Sequence, residues 1–186
     1  MRITSGKFRG KKLEYISDAT TRPTTDRVKE NIFNILTSMS VDFGSARVLC
    51  LFSGSGQMGI ECHSRGSSQI TFNDIDKSAI TVIKKNCASV NLTPQILNLD
   101  YRVALEKLRG RKFDLVFLDP PFADIDAPVI VSNFLLENGM LNDGAVVVCE
   151  TEKDGLEFHH DFVVREKRYG RAVVYFLVAS SLRSLQ

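Results

Sequence analysis

The sequence predicts an α/β fold in which a mostly parallel sheet is doubly wound by helices and closed by an antiparallel hairpin. Three observations carry this. Short apolar runs alternate with amphipathic stretches from residue 47 to residue 151, the rhythm of strands joined by helical crossovers. A glycine-rich turn, "SGSGQMG", separates the first apolar run from the stretch after it. Near the other end, "FVVREKRYGRAVVYFLVA" sets two strand-like runs around Tyr169-Gly170, a hairpin signal.

The elements follow in order. "TTRPTT" over residues 20–25 reads as a loop. In "DRVKENIFNILTSM", Val28, Ile32, Phe33, Ile35 and Leu36 recur near helical spacing, with Asp26 as the expected N-cap. "RVLCLF" is the continuous apolar run of a buried parallel strand. "SGSGQMGIECHSRG" is a turn and a helix stopped at Gly66, "QITFND" a strand, and "DKSAITVIKKNCASVNL" an amphipathic helix. "PQILNLD" is a strand and "YRVALEKLRG" a short helix ending at Gly110. "FDLVFLD" is the next strand, "APVIVSNFLLENGML" contains a helix, and "GAVVVCET" is a strand. A chain of 186 residues suits one domain. A basic extension and loop over 1–25 precede a wound core over 26–186.

Composition narrows the function classes. No apolar run reaches the roughly 18 residues that span a membrane. "MRITSGKFRGKKLEYI" lacks the apolar segment of a signal peptide, so a cytoplasmic location is expected. Cys50, Cys62, Cys87 and Cys149 form no CxxC pair and sit among apolar neighbours, as reduced core cysteines do. His159 and His160 are adjacent and would diverge in a strand, so no metal is expected. The net charge of +2 identifies no partner. Its distribution says more: Arg2, Lys7, Arg9, Lys11 and Lys12 all precede the first acid, Glu14. A basic arm with Gly6 and Gly10 at its bends suits phosphate contact; a solvated, poorly ordered terminus is the alternative.

The candidate site begins at Gly54-x-Gly56-x-x-Gly59, directly after a strand and opening a helix. Glycines there let the backbone turn tightly and approach a ligand, with helix N–H groups pointing outward. Asp74 lies 20 residues beyond Gly54 at a strand end, where a carboxylate accepts both hydroxyl hydrogens of a ribose. An adenosine-type ligand follows, either a dinucleotide or S-adenosyl-L-methionine. Asp100 ends the third strand and could accept from an adenine amino group or cap the next helix. Ile75 could cover the ring. Phe52, Ser53, Ser55 and Tyr101 complete this group.

"KFDLVFLDPPFAD" raises a second question: why a buried strand stops on Asp119-Pro120-Pro121-Phe122. Pro120 removes an amide donor and biases Asp119 toward extended backbone; Pro121 stiffens the next step. The loop would offer one carboxylate, the Pro120 carbonyl and the Phe122 ring, which are the acceptors and stacking plane for a flat heterocycle bearing an exocyclic –NH₂. Stacking there is worth roughly 1–3 kcal/mol. Two fixed acceptors favour a pyramidal nitrogen aimed at a methyl donor, and Asp119 can take the released proton.

These motifs, with "MRITSGKFRGKKL", "TRPTTDRVKENIFNIL", "LFSGSGQMGIE" and "FNDIDKSAI", resemble the bacterial small-subunit ribosomal RNA guanine-N2 methyltransferases, the RsmD-type enzymes, over nearly the full length. The resemblance implies a Rossmann-like, seven-stranded class I fold using S-adenosyl-L-methionine. It implies methylation of one guanine N2 of 16S rRNA, in the small subunit or an assembly intermediate; a monomer is the default expectation, and no membrane partner is expected. It also implies that Gly54 and Gly56 approach the cofactor, Asp74 binds its ribose and Asp119 to Phe122 hold the base. Arg22, Thr24 and Arg27 would line the entrance, and Arg168 and Arg171 in the terminal turn would join the arm on RNA. At position 50 the family usually carries an aspartate for the cofactor's amino group, so Cys50 is a departure. Competing readings are an N6-adenine or other exocyclic-amine methyltransferase, a non-catalytic RNA-binding protein, and a nicotinamide-dependent oxidoreductase. The last lacks a Tyr-x-x-x-Lys pair or a placed histidine and would leave "DPPF" idle.

Overall fold

Helices and strands alternate as far as the fifth strand, with two more strands after it, twelve elements in all among the described residues 1–15, 25–121 and 123–180 of a computed structural model. They are α1 (Asp26–Ser38), β1 (Arg47–Cys50), α2 (Gln57–Ser64), β2 (Gln69–Asn73), α3 (Lys77–Ser89), β3 (Gln95–Leu97), α4 (Tyr101–Lys107), β4 (Phe113–Leu118), α5 (Ala127–Glu137), β5 (Leu141–Thr151), β6 (Phe162–Tyr169) and β7 (Ala172–Ala179). The sheet has seven strands in the order β3-β2-β1-β4-β5-β7-β6. The predicted mixed sheet with a terminal hairpin is therefore observed. Met1–Tyr101 and Arg102–Gln186 each form a compact unit.

In the first unit, β1 and β2 pair in parallel from Arg47↔Gln69 to Cys50↔Phe72, and β2 pairs with β3 in parallel from Thr71↔Gln95 to Asn73↔Leu97. Their apolar runs are buried, as strands covered on both faces require. Phe72, Ile60 and Ile83 close around Gly56, so the end of the glycine turn is packed into the core. Burying a side chain the size of Phe72 stabilises by roughly 1.5–3 kcal/mol. α1 buries Lys29, Ile32, Phe33 and Leu36 at i, i+3, i+4 and i+7. Its N-cap is Thr25, whose hydroxyl accepts from Val28 N at 3.3 Å, and not Asp26. Asp26 instead accepts from Arg2 N, so a contact distant in sequence took the carboxylate that local propensity assigned to the cap.

In the second unit, Leu115–Leu118 of β4 pair in parallel with Val146–Cys149 of β5. β5 pairs antiparallel with β7, and β7 with β6 around the turn at Gly170. β6 is mostly exposed and carries Arg165, Glu166, Lys167 and Arg168, charges that discourage edge-to-edge pairing. All four cysteines are buried and free.

A further expectation is corrected. His159 and His160 lie in irregular chain, and their rings stack at 4.2 Å between centroids instead of diverging. His159 Nδ1 and His160 Nε2 lie 3.6 and 3.4 Å from the Asp161 carboxylate, and the Asp161 N–H points at His159 Nδ1. Residues 1–13 form a docked hairpin, which sets aside the alternative of a poorly ordered terminus.

Candidate functional site

The glycine turn is fixed by the first unit's own backbone. Ser53 N donates to Asn73 O (3.1 Å), Ser53 Oγ to Cys50 O (2.8 Å), and Gly56 N to Ser53 O (2.7 Å). The buried Asn73 donates from Nδ2 to Leu51 O and Leu99 O. Gly54 and Gly56 have φ of +51° and +79°, the left-handed region that glycine enters freely. The third glycine serves packing: a Cβ on Gly59 would stand 2.4 Å from the Phe72 ring.

Asp74 follows β2 and meets this turn. Its Oδ2 accepts from Gly54 N at 2.8 Å and its Oδ1 from Asp76 N at 3.0 Å. Burial lifts its carboxyl above the usual range, partly offset by those two N–H groups. A carboxylate offers about four acceptor positions, so two remain for the hydroxyls of a ribose. Asn98 donates to the carbonyls of Asp74 and Ile75 and fixes the segment. Ile75 is 68% exposed, an apolar face presented beside that carboxylate. Among the described residues, no atom beyond its chain neighbours lies within 4 Å of where a Gly54 Cβ would stand. At the start of α2, Gln57 Oε1 is buried without a hydrogen-bond partner among the described residues. Open space at Gly54, a fixed carboxylate, an exposed apolar face and an orphaned acceptor fit an adenosine ligand with a cationic amine. Phe52 and Tyr101 pack together at 5.0 Å, and Asp100 stands half-buried before α4. Cys50 ends β1 in the core, its thiol pushed far up by burial.

Residues 1–13 fold back antiparallel through an Arg2↔Lys12 bridge. The buried Glu61 of α2 grips them: its carboxylate accepts from Thr4 N (2.9 Å), Thr4 Oγ1 (2.7 Å) and Ser5 N (3.0 Å). Arg65 pairs with Glu61 at 3.3 Å, and the wholly buried Lys29 stands 3.8 Å away. Lys29 Nζ also donates to Arg2 O at 2.5 Å. Gly6 lies against α2 so closely that a Cβ would fall 1.9 Å from Ser64 O. Lys7 N donates to that carbonyl, and Phe8 N to Ser64 Oγ. Asn86 of α3 then ties the hairpin to the glycine turn. Its Nδ2 donates to both Glu14 O and Ser55 O at 2.9 Å, while its Oδ1 accepts from Glu14 N. The expected RNA-contact residues Arg2, Lys7, Arg9, Lys11 and Lys12 are thus gathered on one fixed hairpin, each exposed. Lys11 also donates to Ser89 O. Arg27 is exposed on the first turn of α1, next to Asp26, which binds Arg2 N.

The second unit carries the proline loop. Asp119 directly follows β4 and keeps an open face to solvent, while Pro120 is buried. Crowding by protein and the nearby Glu150 raise the Asp119 carboxyl well above the ordinary range; water at its open face tempers that rise. Asp124 N donates to Pro121 O at 2.9 Å and turns the loop. A pocket of about 230 Å³ is lined by Pro120, Pro121, Asp124, Ile125, Thr151, Glu152 and Lys153. Arg168 is committed to Asp154 (2.9 Å) and Glu166 (3.0 Å), whereas Arg171 is exposed in the hairpin turn. Arg22, Thr24 and Phe122 lie outside the described residues.

Sequence reasoning missed Lys29, Glu61, Asn73, Asn86 and Glu150. A signal existed for two of them. Lys29 stands on the buried stripe of α1, and Asn86 lies three residues after the buried Ile83. A charged or amide side chain on an apolar stripe needs a partner, and both have one.

The family model described as Conserved hypothetical protein 95 matches residues 1–178. Ribosomal RNA small subunit methyltransferase D of Haemophilus influenzae is 36% identical over 158 residues, 83% of this chain and 80% of that protein. A solved structure described as a putative methyltransferase yhhF from Escherichia coli superposes with a TM-score of 0.82 at 29% identity, covering 97% of this chain and 98% of its own. The structure of SMU.776, a putative methyltransferase complexed with SAH, shares the fold with a TM-score of 0.62 at 13% identity over 81% of this chain and 49% of its own.

Proposed function

Because this chain belongs to the family described as Conserved hypothetical protein 95, the RsmD-type proteins, we propose that it methylates the exocyclic N2 of one guanine in 16S rRNA. It is an S-adenosylmethionine-dependent ribosomal RNA methyltransferase. Its substrate is the small subunit or an assembly intermediate, and it works as a cytoplasmic monomer.

The observation that carries the target chemistry is Asp119: a carboxyl raised by its surroundings, open to solvent on one face, ahead of two prolines. S-adenosylmethionine supplies an activated methyl group when bound. Asp74 takes the ribose hydroxyls, Ile75 covers the adenine ring, and Gly54 and Gly56 leave room for the backbone's approach. Phe52, Ser53, Ser55, Asp100 and Tyr101 complete that wall. Asp119 and the Pro120 carbonyl orient the guanine amine, Phe122 stacks on the base, and Asp119 takes up the displaced proton. Positioning of this kind supplies up to roughly 7–11 kcal/mol. The basic hairpin, with Arg22, Arg27 and Arg171, holds phosphates, which places the substrate without reading its sequence. The target base leaves its stack to react.

The test is transfer of labelled methyl groups to small subunits from cells lacking this protein, followed by nucleoside analysis. N2-methylguanosine is expected; N6-methyladenosine, or no transfer, would refute the reading. Asp119→Ala should fold, retain cofactor binding and lose transfer.

A further inference from the structure

Glu150 has no part in the reaction described above, yet the strands place it beside Asp119. β4 and β5 run parallel, and the last paired residues are Leu118↔Cys149. One step on, Asp119 leaves β4 at the position next to Glu150, which is still within β5, and register neighbours share a face of a sheet. Glu150 is half-buried on β5 and pairs with Val174 of β7 on its other side. Its charge bears on Asp119. The other charged groups around this loop are engaged elsewhere: Lys153 with Asp126 at 3.3 Å, and Asp124 with Arg102 at 3.9 Å. Glu152 is exposed in the chain after β5.

We propose that Glu150 is a positioning residue for methyl transfer, acting through Asp119 to make its carboxylate a stronger acceptor of the amine's proton. This rests on the reading that places Asp119 at the target amine. Two adjoining carboxyls resist ionising together, so the pair keeps one proton to higher pH than a lone acid. The base that remains is matched to neutral solution. In the step, the guanine nitrogen bonds to the donor methyl carbon as the carbon–sulfur bond breaks and its electron pair stays on sulfur. The surplus proton on nitrogen passes to Asp119 and then to water.

The pair can be titrated directly by carboxyl carbon NMR on protein labelled at aspartate and glutamate, with the Asp119 signal assigned from Asp119→Asn. Glu150→Gln removes the neighbouring charge, so the Asp119 midpoint should fall by a pH unit or more, a tenfold loss of proton affinity. Glu150→Asp should keep the wild-type midpoint. In single-turnover transfer to unmethylated small subunits, the acid limb of the Glu150→Gln rate profile should move down by the same interval. An unmoved Asp119 midpoint overturns the proposal, as does a midpoint that moves while the acid limb stays. Asp119→Asn keeps an acceptor oxygen without a base and should slow transfer at least 10²-fold. If Asp119→Asn stays active while Asp119→Ala is dead, the target site stands and the Glu150 role falls. If Asp119→Ala also retains transfer, the target site itself is refuted.

Discussion

Replacing Glu61 by alanine should loosen the basic hairpin and lower the stability of the fold around it. The Glu61 carboxylate accepts three hydrogen bonds from Thr4 and Ser5 and pairs with Arg65 and Lys29. Both Glu61 and Lys29 are wholly buried, so the truncation leaves an ammonium without that counter-charge. Breaking a buried pair in this way costs about 3–5 kcal/mol. Lys29 keeps Arg2 O at 2.5 Å and Asp26 at 3.4 Å, which places the cost near the lower end, about 3 kcal/mol. For a chain of this length that is a fall of about 6–12 °C in melting temperature. Because those hydrogen bonds end on the hairpin, its docking should weaken by the same amount. Amide exchange at Thr4, Ser5 and Phe8 should then accelerate by about 10²-fold, since 1.4 kcal/mol is a factor of ten. Differential scanning calorimetry and hydrogen exchange read the two effects. Unchanged protection at those amides with a melting temperature within about 2 °C would show that Glu61 does not fasten the hairpin.

Asp119→Asn should stabilise the protein in alkaline solution. A carboxyl raised in the folded state contributes fully below its unfolded value and loses that contribution as pH rises through the folded value. Discounted for the open face, the gain at pH 8 is about 1–2 kcal/mol, or about 2–8 °C; thermal melts at pH 5 and pH 8 should differ in that direction, and equal shifts would remove the electrostatic account. Changing Lys7, Arg9 and Lys12 to glutamine should weaken RNA binding and lower the slope of log affinity against log salt by about 2; an unchanged slope takes the hairpin out of the interface. Cys50→Asp should tighten binding of S-adenosylhomocysteine in calorimetry while lowering the melting temperature, because the acid enters a buried position. Weaker or unchanged binding would show that backbone groups already serve the amine.

What could be read in the chain was what local chemistry decides. The "RVLCLF" and "FDLVFLD" runs announced buried parallel strands, and Tyr169-Gly170 announced the hairpin, because side-chain period and turn residues act over a few positions. The Gly54 to Asp74 relation was also legible, and the structure closes it with a direct hydrogen bond from Gly54 N. Three features could not be read. Thr25 displaced Asp26 as the cap of α1 because Asp26 is drawn to Arg2, 24 residues away. The His159–His160 stack arose because that segment is not a strand. The docking of residues 1–14 on Glu61, Ser64 and Asn86 left no periodic trace, since polar contacts across such separations carry no pattern in sequence.

That docking also orders events while the chain is being made. Thr4, Phe8 and Glu14 emerge early, but their partners Glu61, Ser64 and Asn86 stand 57, 56 and 72 residues later. At about 5–20 residues per second, the hairpin waits roughly 3–15 s before anything exists to receive it. During that interval its lysines and arginines hang free on a nascent chain. The hairpin can therefore be secured only once α2 and α3 have been made, while β4 to β7 are still to come.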